Sequence, residues 1–253
     1  MALVALCATA QNIQLHYDFG RHFYQEQRDE ISGANDRMYS TITLEQFKAD
    51  RLGNWFYFVD LDLGKRGIQG AYTEISREFN ITPLAKDSKF TLAGHLEFDG
   101  GLKVNTVAVP QIDGTTKPLG SVFQSSILVG PAVNWHNTDF STTCSLQLMY
   151  KQYFKGYSDH GYSSFQLTGV WNYNFAHGKG TFSGFADLYR EERWDNGHGC
   201  LVFLTEPQLW YNVRKFFAVG TEVEFSNNFV NNITSFGGKR FFVNPTLAVK
   251  FTL

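Results

Sequence analysis

Apolar and polar residues alternate with a period of two along most of the chain, and a helical period is almost absent. In the stretch 54–64, Val59 and Leu61 alternate with Asp60 and Asp62. Successive side chains of a β-strand point to opposite faces, so this segment has an apolar face and an acidic face. A soluble core would make the two acids costly, and a wet surface would leave the neighbouring aromatic residues exposed. A strand with lipid on one side and water on the other accommodates both kinds of residue.

Twelve segments with this alternation predict twelve β-strands. Each is about ten residues long, and at roughly 3.3 Å per residue and a tilt near 45° it crosses about 25 Å of bilayer. The predicted strands are 12–20, 38–49, 54–63, 70–80, 89–99, 121–135, 140–151, 162–175, 181–191, 200–213, 215–226 and 240–253. The stretch 102–109 is a candidate for a thirteenth strand, but Pro110 and the polar residues after it favour part of a long loop.

The connections between these strands also alternate in length. Long polar connections follow odd-numbered strands, at 21–37, 100–120 and 227–239, whereas short turns follow even-numbered strands. Short turns at one end and long loops at the other are typical of bacterial outer-membrane barrels. Pro131 and Pro207 fall inside predicted strands, where we expect bulges or strand ends. The sequence therefore predicts an all-β fold, a transmembrane antiparallel up-and-down β-barrel of about twelve strands with both chain ends in the periplasm.

The composition is compatible with this barrel and excludes several other classes of protein. The 253 residues are 43% hydrophobic and 18% charged, with 24 Phe and 12 Tyr, and the mean hydropathy is −0.24. No apolar run approaches the roughly 20 residues of a transmembrane helix. The net charge of −2 and the lack of a basic stripe give no reason to expect nucleic acid as a partner. All-β barrels of this length are ordinarily single domains.

The first ten residues resemble the end of a secretory signal peptide. Residues 2–6 are apolar, and residues 8–10, Ala-Thr-Ala, have the small-x-small form that a signal peptidase cleaves. We expect residues 1–10 to be a signal-peptide remnant and Gln11 to begin a single barrel domain at 11–253. The basic residues that usually precede the apolar stretch are missing, so an ordinary apolar N-terminus is the alternative.

The cysteines predict no metal site. Cys144 and Cys200 are far apart in the sequence and lack a CxxC spacing. A disulfide requires Cα atoms within about 7 Å of each other, which the sequence does not establish. The segment 195–200, Asp-Asn-Gly-His-Gly-Cys, is compatible with a metal or nucleophile site but is better explained as a Gly-rich outer loop. No metal and no cofactor is predicted.

The acids indicate which face of each strand meets water. A charge that faces lipid at mid-depth is costly, so Asp60 is expected to point to the interior and Trp55 to the lipid. The residues expected to line the pore and contact the solute are Phe56, Phe58, Asp60, Asp62, Glu74, Glu78, Glu97, Phe185, Asp187, Glu222 and Glu224. Lys151 and Lys250 are inward cations. Acids, amides and aromatic rings suit a flat, polar, neutral or cationic solute, because stacking on an aromatic face contributes roughly 1–3 kcal/mol per base.

Several of these segments resemble the Tsx-type nucleoside-specific outer-membrane channels. The stretch 39–63 resembles the second and third strands of that family, 72–81 its fourth strand, 182–192 its ninth and 247–251 its last. The residues that carry the resemblance are Leu44, Glu45, Phe47, Gly53, Asn54, Trp55, Phe56, Asp60, Glu74, Ile75, Phe79, Gly184 and Phe185. The resemblance implies a monomeric twelve-stranded barrel that passes nucleosides through a pore lined with aromatic and ionisable residues. The first loop and Leu253 depart from the family pattern, so an uncharacterised Tsx-like family is the alternative.

Three other functions remain open. Inward carboxylates that pair with lysines and arginines would plug the barrel and leave a structural protein. A lipid-modifying outer-membrane enzyme is the second, although no Ser-His-acid spacing is evident and most histidines fall in turns or loops. A soluble lipocalin-like binder would have hydrophobic residues inside, but twelve strands exceed the eight of that fold. The function we expect is passive diffusion of nucleosides or similar small polar solutes through a narrow channel in outer-membrane lipid, with no covalent step.

Overall fold

The computed structural model describes residues 9–19, 40–64, 67–83, 89–110, 116–156, 160–192, 198–229 and 241–253. Within these ranges the chain forms β-strands, and no helix there is long and apolar enough to cross a membrane. The strands are β1 (Thr9–Asp18), β2 (Ser40–Asp50), β3 (Gly53–Gly64), β4 (Gly67–Pro83), β5 (Phe90–Pro110), β6 (Thr116–Val122), β7 (Ser126–His136), β8 (Thr142–Tyr153), β9 (Tyr162–Phe175), β10 (Gly180–Glu192), β11 (Gly199–Thr205), β12 (Gln208–Arg214), β13 (Phe217–Asn227) and β14 (Phe241–Thr252).

The strands close into an antiparallel barrel with twelve positions. β6 and β7 share one position, because both pair with the long strand β5. β11 and β12 share another, between β10 and β13. β1 pairs with β14, with Ile13 opposite Phe251, and this pairing closes the circle. The predicted twelve-stranded antiparallel barrel is therefore confirmed, and its closure removes the free sheet edges that invite aggregation.

The predicted loop 100–120 needs a correction. The stretch 102–109 is neither a separate strand nor a loop, since it is the second half of β5, which ends at Pro110. Its partner is β6, and Pro110 lies opposite Thr116. Proline has no backbone N–H, and the end of a strand is a place where that donor is not needed. The proline therefore marks the end of strand β5, and the residues before it belong to the strand instead of a loop.

The two prolines inside predicted strands lie at irregular places. Pro207 separates β11 from β12, so this predicted strand is interrupted at residues 206–207. Across from the interruption, Gly184 has a φ of 150°, and a Cβ there would lie 2.5 Å from the carbonyl oxygen of Glu206. Pro131 lies within β7, where the register with β8 passes over it. Both positions spare the proline from donating a ladder hydrogen bond.

Four tight turns and both described chain ends lie at one end of the barrel, whereas β3 and β4 are joined by a two-residue connection at the other end. Tight turns join β2 to β3, β7 to β8, β9 to β10 and β12 to β13. The backbone N–H of Leu253 donates to the carbonyl oxygen of Gln11 at 2.9 Å, which ties the last residue to the first strand. The long connections 21–37 and 227–239 lie mostly outside the described residues, as does the stretch 1–10.

The barrel is apolar outside and polar inside. Leu148 and Leu247 on the outer face are 57% and 61% exposed, whereas the inward Gln14 and Asn244 are 1% exposed. Soluble proteins have the opposite distribution, and an apolar exterior with a polar interior is what a barrel in lipid requires. This arrangement excludes the soluble lipocalin-like alternative.

Arg77 breaks the alternation of β4 and lies on the outer face near the short turns. Its guanidinium group packs over the rings of Trp55 and Phe79, at 5.1 and 4.9 Å from their centroids. Nη2 is 2.9 Å from Oδ1 of Asp50 in an ion pair. Aromatic rings and a carboxylate therefore shield this cation, which suits the boundary between lipid and water.

Candidate solute pathway inside the barrel

Carboxyl groups from opposite walls face the same interior of the barrel. Glu74 on β4 and Asp187 on β10 are close enough to repel each other, although β5, β7, β8 and β9 separate their strands. Glu206, at the interruption between β11 and β12, interacts in the same way with Asp60 and Glu222. We call these five residues the acidic belt. A ring of carboxylates in a narrow lumen attracts cations and repels anions.

Aromatic side chains follow the wall beside the acidic belt. The rings of Phe56, Phe58, Tyr72 and Phe123 succeed one another at centroid distances of 6.1, 6.0 and 5.9 Å. We call these four residues the aromatic ladder. The hydroxyl of Tyr72 donates to Oε1 of Glu74 at 2.9 Å, so the ladder touches the belt. The four rings are partly exposed and offer a flat solute successive stacking surfaces.

A polar network anchors Glu78 near the short turns. Its Oε2 accepts hydrogen bonds from Asn54 at 3.0 Å and Asn134 at 2.7 Å. Its Oε1 accepts from Gln147 at 3.2 Å and lies 3.3 Å from Nδ1 of His95. We call these five residues the Glu78 network. It links β3, β4, β5, β7 and β8, and Glu78 is buried, so this carboxylate is better placed to hold the wall together than to contact a solute.

Lys151 is a buried cation on the β8 side of the lumen. Its Nζ lies 3.1 Å from Oδ2 of Asp99 and donates to Oε1 of Gln166 at 2.8 Å. The same ammonium packs over the rings of Tyr153 and Tyr189, at 5.1 and 4.8 Å. Lys151 is one ammonium group, whereas the acidic belt and Asp99 together contribute six carboxyl groups to the interior.

Bulky side chains fill the opposite part of the interior. Trp210 on β12 is 1% exposed and donates through its indole N–H to Oε1 of Gln208 at 2.9 Å. The ammonium of Lys250 lies 4.0 Å from the Trp210 ring centroid. His16 Nδ1 is 3.8 Å from Oε1 of Glu222. Inner residues of β3 and β10, such as Phe58 and Phe185, are partly exposed, so the accessible part of the lumen includes the aromatic ladder.

The strand register places every residue predicted to line the pore on the inner face. The structure brings six of them together in the acidic belt or the aromatic ladder, namely Phe56, Phe58, Asp60, Glu74, Asp187 and Glu222. The others make further contacts of their own: Asp62 accepts a hydrogen bond from Thr41, Glu78 lies in its network, Glu97 contacts His95 and also lies near Glu74, Phe185 lies opposite Val170, and Glu224 accepts from Asn244.

The predicted pore lining omits four residues of this pathway. Tyr72 and Asp99 share the alternation of Glu74 and Glu97, so the signal was present in the sequence. Glu206 also follows the inward pattern, but its approach to the opposite wall does not show in the sequence. Phe123 lies in the gap between β6 and β7, where no strand pattern exists to orient it.

The residues considered for chemistry lie apart. Cys144 is exposed on the outer face and Cys200 is buried on the inner face, and neither forms a disulfide among the described residues. His136 stacks on Phe140 in a tight turn at a centroid distance of 3.9 Å. The side chain of His160 is 66% exposed. None of these described residues forms a cluster with the acidic belt.

A family model matches residues 10–253, and its description is a domain of unknown function, DUF5020. The chain belongs to this family. The match covers the described barrel except for Thr9, so the DUF5020 domain and the barrel are the same unit. No curated protein matches the chain.

Solved structures of outer-membrane proteins are similar to this DUF5020 barrel. The NanC porin aligns with a TM-score of 0.56 at 12% identity, over 96% of this chain and 100% of that chain. A KdgM porin aligns with a TM-score of 0.49 at 13% identity, over 96% and 99%. The outer-membrane phospholipase OMPLA of Salmonella typhi aligns with a TM-score of 0.45 at 11% identity, over 96% and 90%. The likeness to NanC shows a shared barrel fold, and a fold by itself does not identify an activity.

Proposed function

We propose that this DUF5020 barrel spans the bacterial outer membrane as a monomer and lets small polar solutes diffuse through it passively. Nucleosides and similarly flat, neutral or cationic molecules are the proposed solutes. The observation that carries the proposal is the acidic belt beside the aromatic ladder, inside a closed barrel with an apolar exterior. No cofactor and no covalent step are required.

The apolar exterior supports the membrane location. Backbone groups in hydrocarbon must all be paired, and a closed barrel pairs them between strands. Leu15, Leu96 and Val129 on the outer face of three different strands are each about half exposed to the surroundings. Such an exterior would be unfavourable in water and is favourable in lipid. The proposed signal peptide at residues 1–10 is the corresponding route of export.

The lumen supports a flat solute that carries no negative charge. Each ring of the ladder contributes roughly 1–3 kcal/mol of stacking to a nucleobase. Carboxylates of the belt are hydrogen-bond acceptors for sugar hydroxyls, and they repel phosphates and acidic sugars. The segments at 39–63 and 72–81 that resemble the Tsx-type channels contain three residues of the ladder and two of the belt, which supports nucleosides in particular.

Ion selectivity tests the role of the acids. In planar bilayers we expect the wild-type channel to prefer K⁺ over Cl⁻ and the Asp60→Asn/Asp62→Asn variant to lose much of that preference. Asparagine can still accept the hydrogen bonds that Thr43 and Thr41 donate at 2.5 and 3.1 Å, so folding should be preserved. The reversal potential in a salt gradient is the measurement. Equal potentials for the two proteins would contradict the assigned role of these acids.

Solute specificity is tested by liposome swelling. Uncharged nucleosides should enter faster than sugars of similar size, and nucleoside monophosphates should enter more slowly than either, because the belt repels phosphate. Equal rates for nucleosides and their monophosphates would exclude the proposed solute class.

A structural barrel without transport is the second candidate, and the Glu78 network favours it. This network joins β4 to β8 across the interior, and Leu128 and Met149 beside it are almost fully buried. The absence of conductance in both the wild type and the asparagine variant would support this candidate over the channel.

A further inference from the structure

Three carboxylates converge where the acidic belt meets β5. Glu74, Glu97 and Asp99 each place one oxygen within 4.8 Å of the ligand oxygens of the other two. Two oxygens on one Ca²⁺ ion, each at 2.3–2.6 Å from it, lie at most about 4.6–5.2 Å apart. The three oxygens therefore already fit within the diameter of one calcium coordination sphere. We call these residues the carboxylate triad.

One oxygen of the triad is buried without a partner. Asp99 is 4% exposed, and its Oδ2 accepts from Ser126 at 2.9 Å and from Lys151 at 3.1 Å. Its Oδ1 has no hydrogen-bond partner among the described residues. Ser126 and Lys151 occupy Oδ2 from β7 and β8, and Glu74 lies directly opposite Asp99 on β4, so Oδ1 is the Asp99 oxygen left available to a ligand shared with Glu74. A buried oxygen without a donor is costly, and a bound cation would remove that cost.

The charge around the triad also favours a second cation. The three carboxylates repel one another, and Asp187 adds to the repulsion at Glu74. The ammonium group of Lys151 contacts Asp99 and also packs over two tyrosine rings. Like charges a few ångströms apart in a poorly screened interior interact strongly. A divalent cation between the three carboxylates would offset this repulsion, whereas the Lys151 ammonium is held by Asp99 and Gln166.

We propose that the carboxylate triad binds Ca²⁺ inside the barrel. All three ligands are hard oxygens, which suit Ca²⁺ and Mg²⁺ and not the metals that prefer nitrogen or sulfur. Mg²⁺ demands near-ideal octahedral geometry and keeps several waters, whereas Ca²⁺ accepts irregular arrangements of carboxylates. This inference does not depend on transport, because a barrel whose interior is plugged would bind the ion equally well.

Terbium luminescence tests the site, because Tb³⁺ replaces Ca²⁺ and is excited by nearby aromatic residues. Tyr72 is such a residue, since its hydroxyl donates to Glu74. Folded protein in detergent should give a saturable Tb³⁺ signal on excitation of its aromatic residues. We expect Ca²⁺ to displace the ion at lower concentration than Mg²⁺. The absence of a saturable signal, or of displacement by Ca²⁺, would overturn the proposal.

Matched variants separate the triad from the general acidity of the lumen. Glu97→Gln and Asp99→Asn should weaken Tb³⁺ and Ca²⁺ binding by roughly tenfold or more, because even the loss of an outer-shell partner of a metal ligand typically weakens affinity about 10–100-fold. Glu45 is an inward acid outside the triad and accepts a hydrogen bond from Asn12 at 2.8 Å. The Glu45→Gln variant should therefore change the affinity for Tb³⁺ and Ca²⁺ far less. Lys151→Met should strengthen binding, because it removes the competing cation. Equal weakening by Glu97→Gln and Glu45→Gln would mean a diffuse field and no site.

Folding of each variant is checked by its migration in detergent gels before and after heating, so an unfolded variant is not counted as a loss of binding. The test is done in micelles and needs no conductance. A negative result would therefore leave the channel proposal standing, and an inactive channel would leave the calcium proposal standing.

Discussion

Two glutamates on the same face of β4 have different roles because their surroundings differ. Glu74 and Glu78 are four residues apart and follow the same alternation. Glu78 is surrounded by amide and imidazole donors from four other strands, whereas Glu74 accepts one hydrogen bond from Tyr72 and faces other carboxylates. A buried carboxylate with several donors stabilises the fold, and one among like charges is better explained by a function.

Glutamine at these two positions distinguishes the roles. Glu78→Gln replaces an acceptor oxygen with an N–H₂ group that faces donors, and we expect it to destabilise the barrel by about 1–3 kcal/mol. Glu74→Gln removes a repelling charge and should leave stability unchanged or raise it when measured in EDTA. Urea unfolding in detergent, followed by tryptophan fluorescence, is the measurement. Equal stabilities for the two variants would refute the structural role of the Glu78 network.

At the scale of elements, the interruption between β11 and β12 positions Glu206 in the lumen. The backbone of β10 crosses close to this point, and Gly184 allows the approach because it has a positive φ and no side chain. The N–H of Glu206 donates to the carbonyl oxygen of Phe185 at 3.2 Å, and Pro207 accepts from the N–H of Val223 at 3.1 Å. The irregular backbone is therefore held on both sides.

Alanine at Gly184 tests this local geometry. The added Cβ would lie 2.5 Å from the Glu206 carbonyl oxygen, and L-residues rarely adopt this φ, so we expect a loss of about 1–3 kcal/mol. Gly169→Ala is the control, because a Cβ at Gly169 would meet nothing within 4 Å. The urea midpoint of the control should stay at or above that of the wild type. A Gly184→Ala protein as stable as the control would show that the close approach is not required.

For the whole molecule, the closure of the barrel produces its inverted polarity, which is an apolar exterior around a polar interior. Twelve positions on a circle allow one set of side chains to face lipid and the other to face a shared interior. Residues on opposite walls, such as Asp60 and Glu206, influence each other electrostatically because the circle is small. The same small circumference makes the lumen narrow, since many inward side chains are almost fully buried.

A single arginine placed on either face tests the inversion. Leu148→Arg puts a charge on the outer face in the middle of β8, and a charge near the bilayer midplane costs about 2–4 kcal/mol. Val170→Arg puts the same charge on the inner face, opposite Phe185, where the nearby acids should tolerate it. Refolding yield and unfolding free energy in lipid vesicles are the measurements. A larger loss for Val170→Arg than for Leu148→Arg would mean that the faces are assigned the wrong way round.

Much of the barrel was predictable because alternation is local. Two residues that differ by one position, such as Leu61 and Asp62, face opposite sides of any strand, so the number of strands and the face of each acid follow from the chain itself. The error at 102–109 has a physical reason: Pro110 is compatible with a loop and with a strand end, and only the partner strand β6 distinguishes them. The interruption at residues 206–207 was visible only as a proline.

Contacts between distant strands were not predictable, because they depend on how the circle closes. Alternation places Glu74, Glu97 and Asp187 on the inner face, but the distances between their carboxyl groups depend on strand tilt, register and the size of the barrel. The convergence of the carboxylate triad, the donors around Glu78 and the position of Phe123 beside Tyr72 all arise from that geometry. The sequence therefore determines which side chains face the interior, and the closure of the barrel determines which of these inner side chains lie close enough to interact.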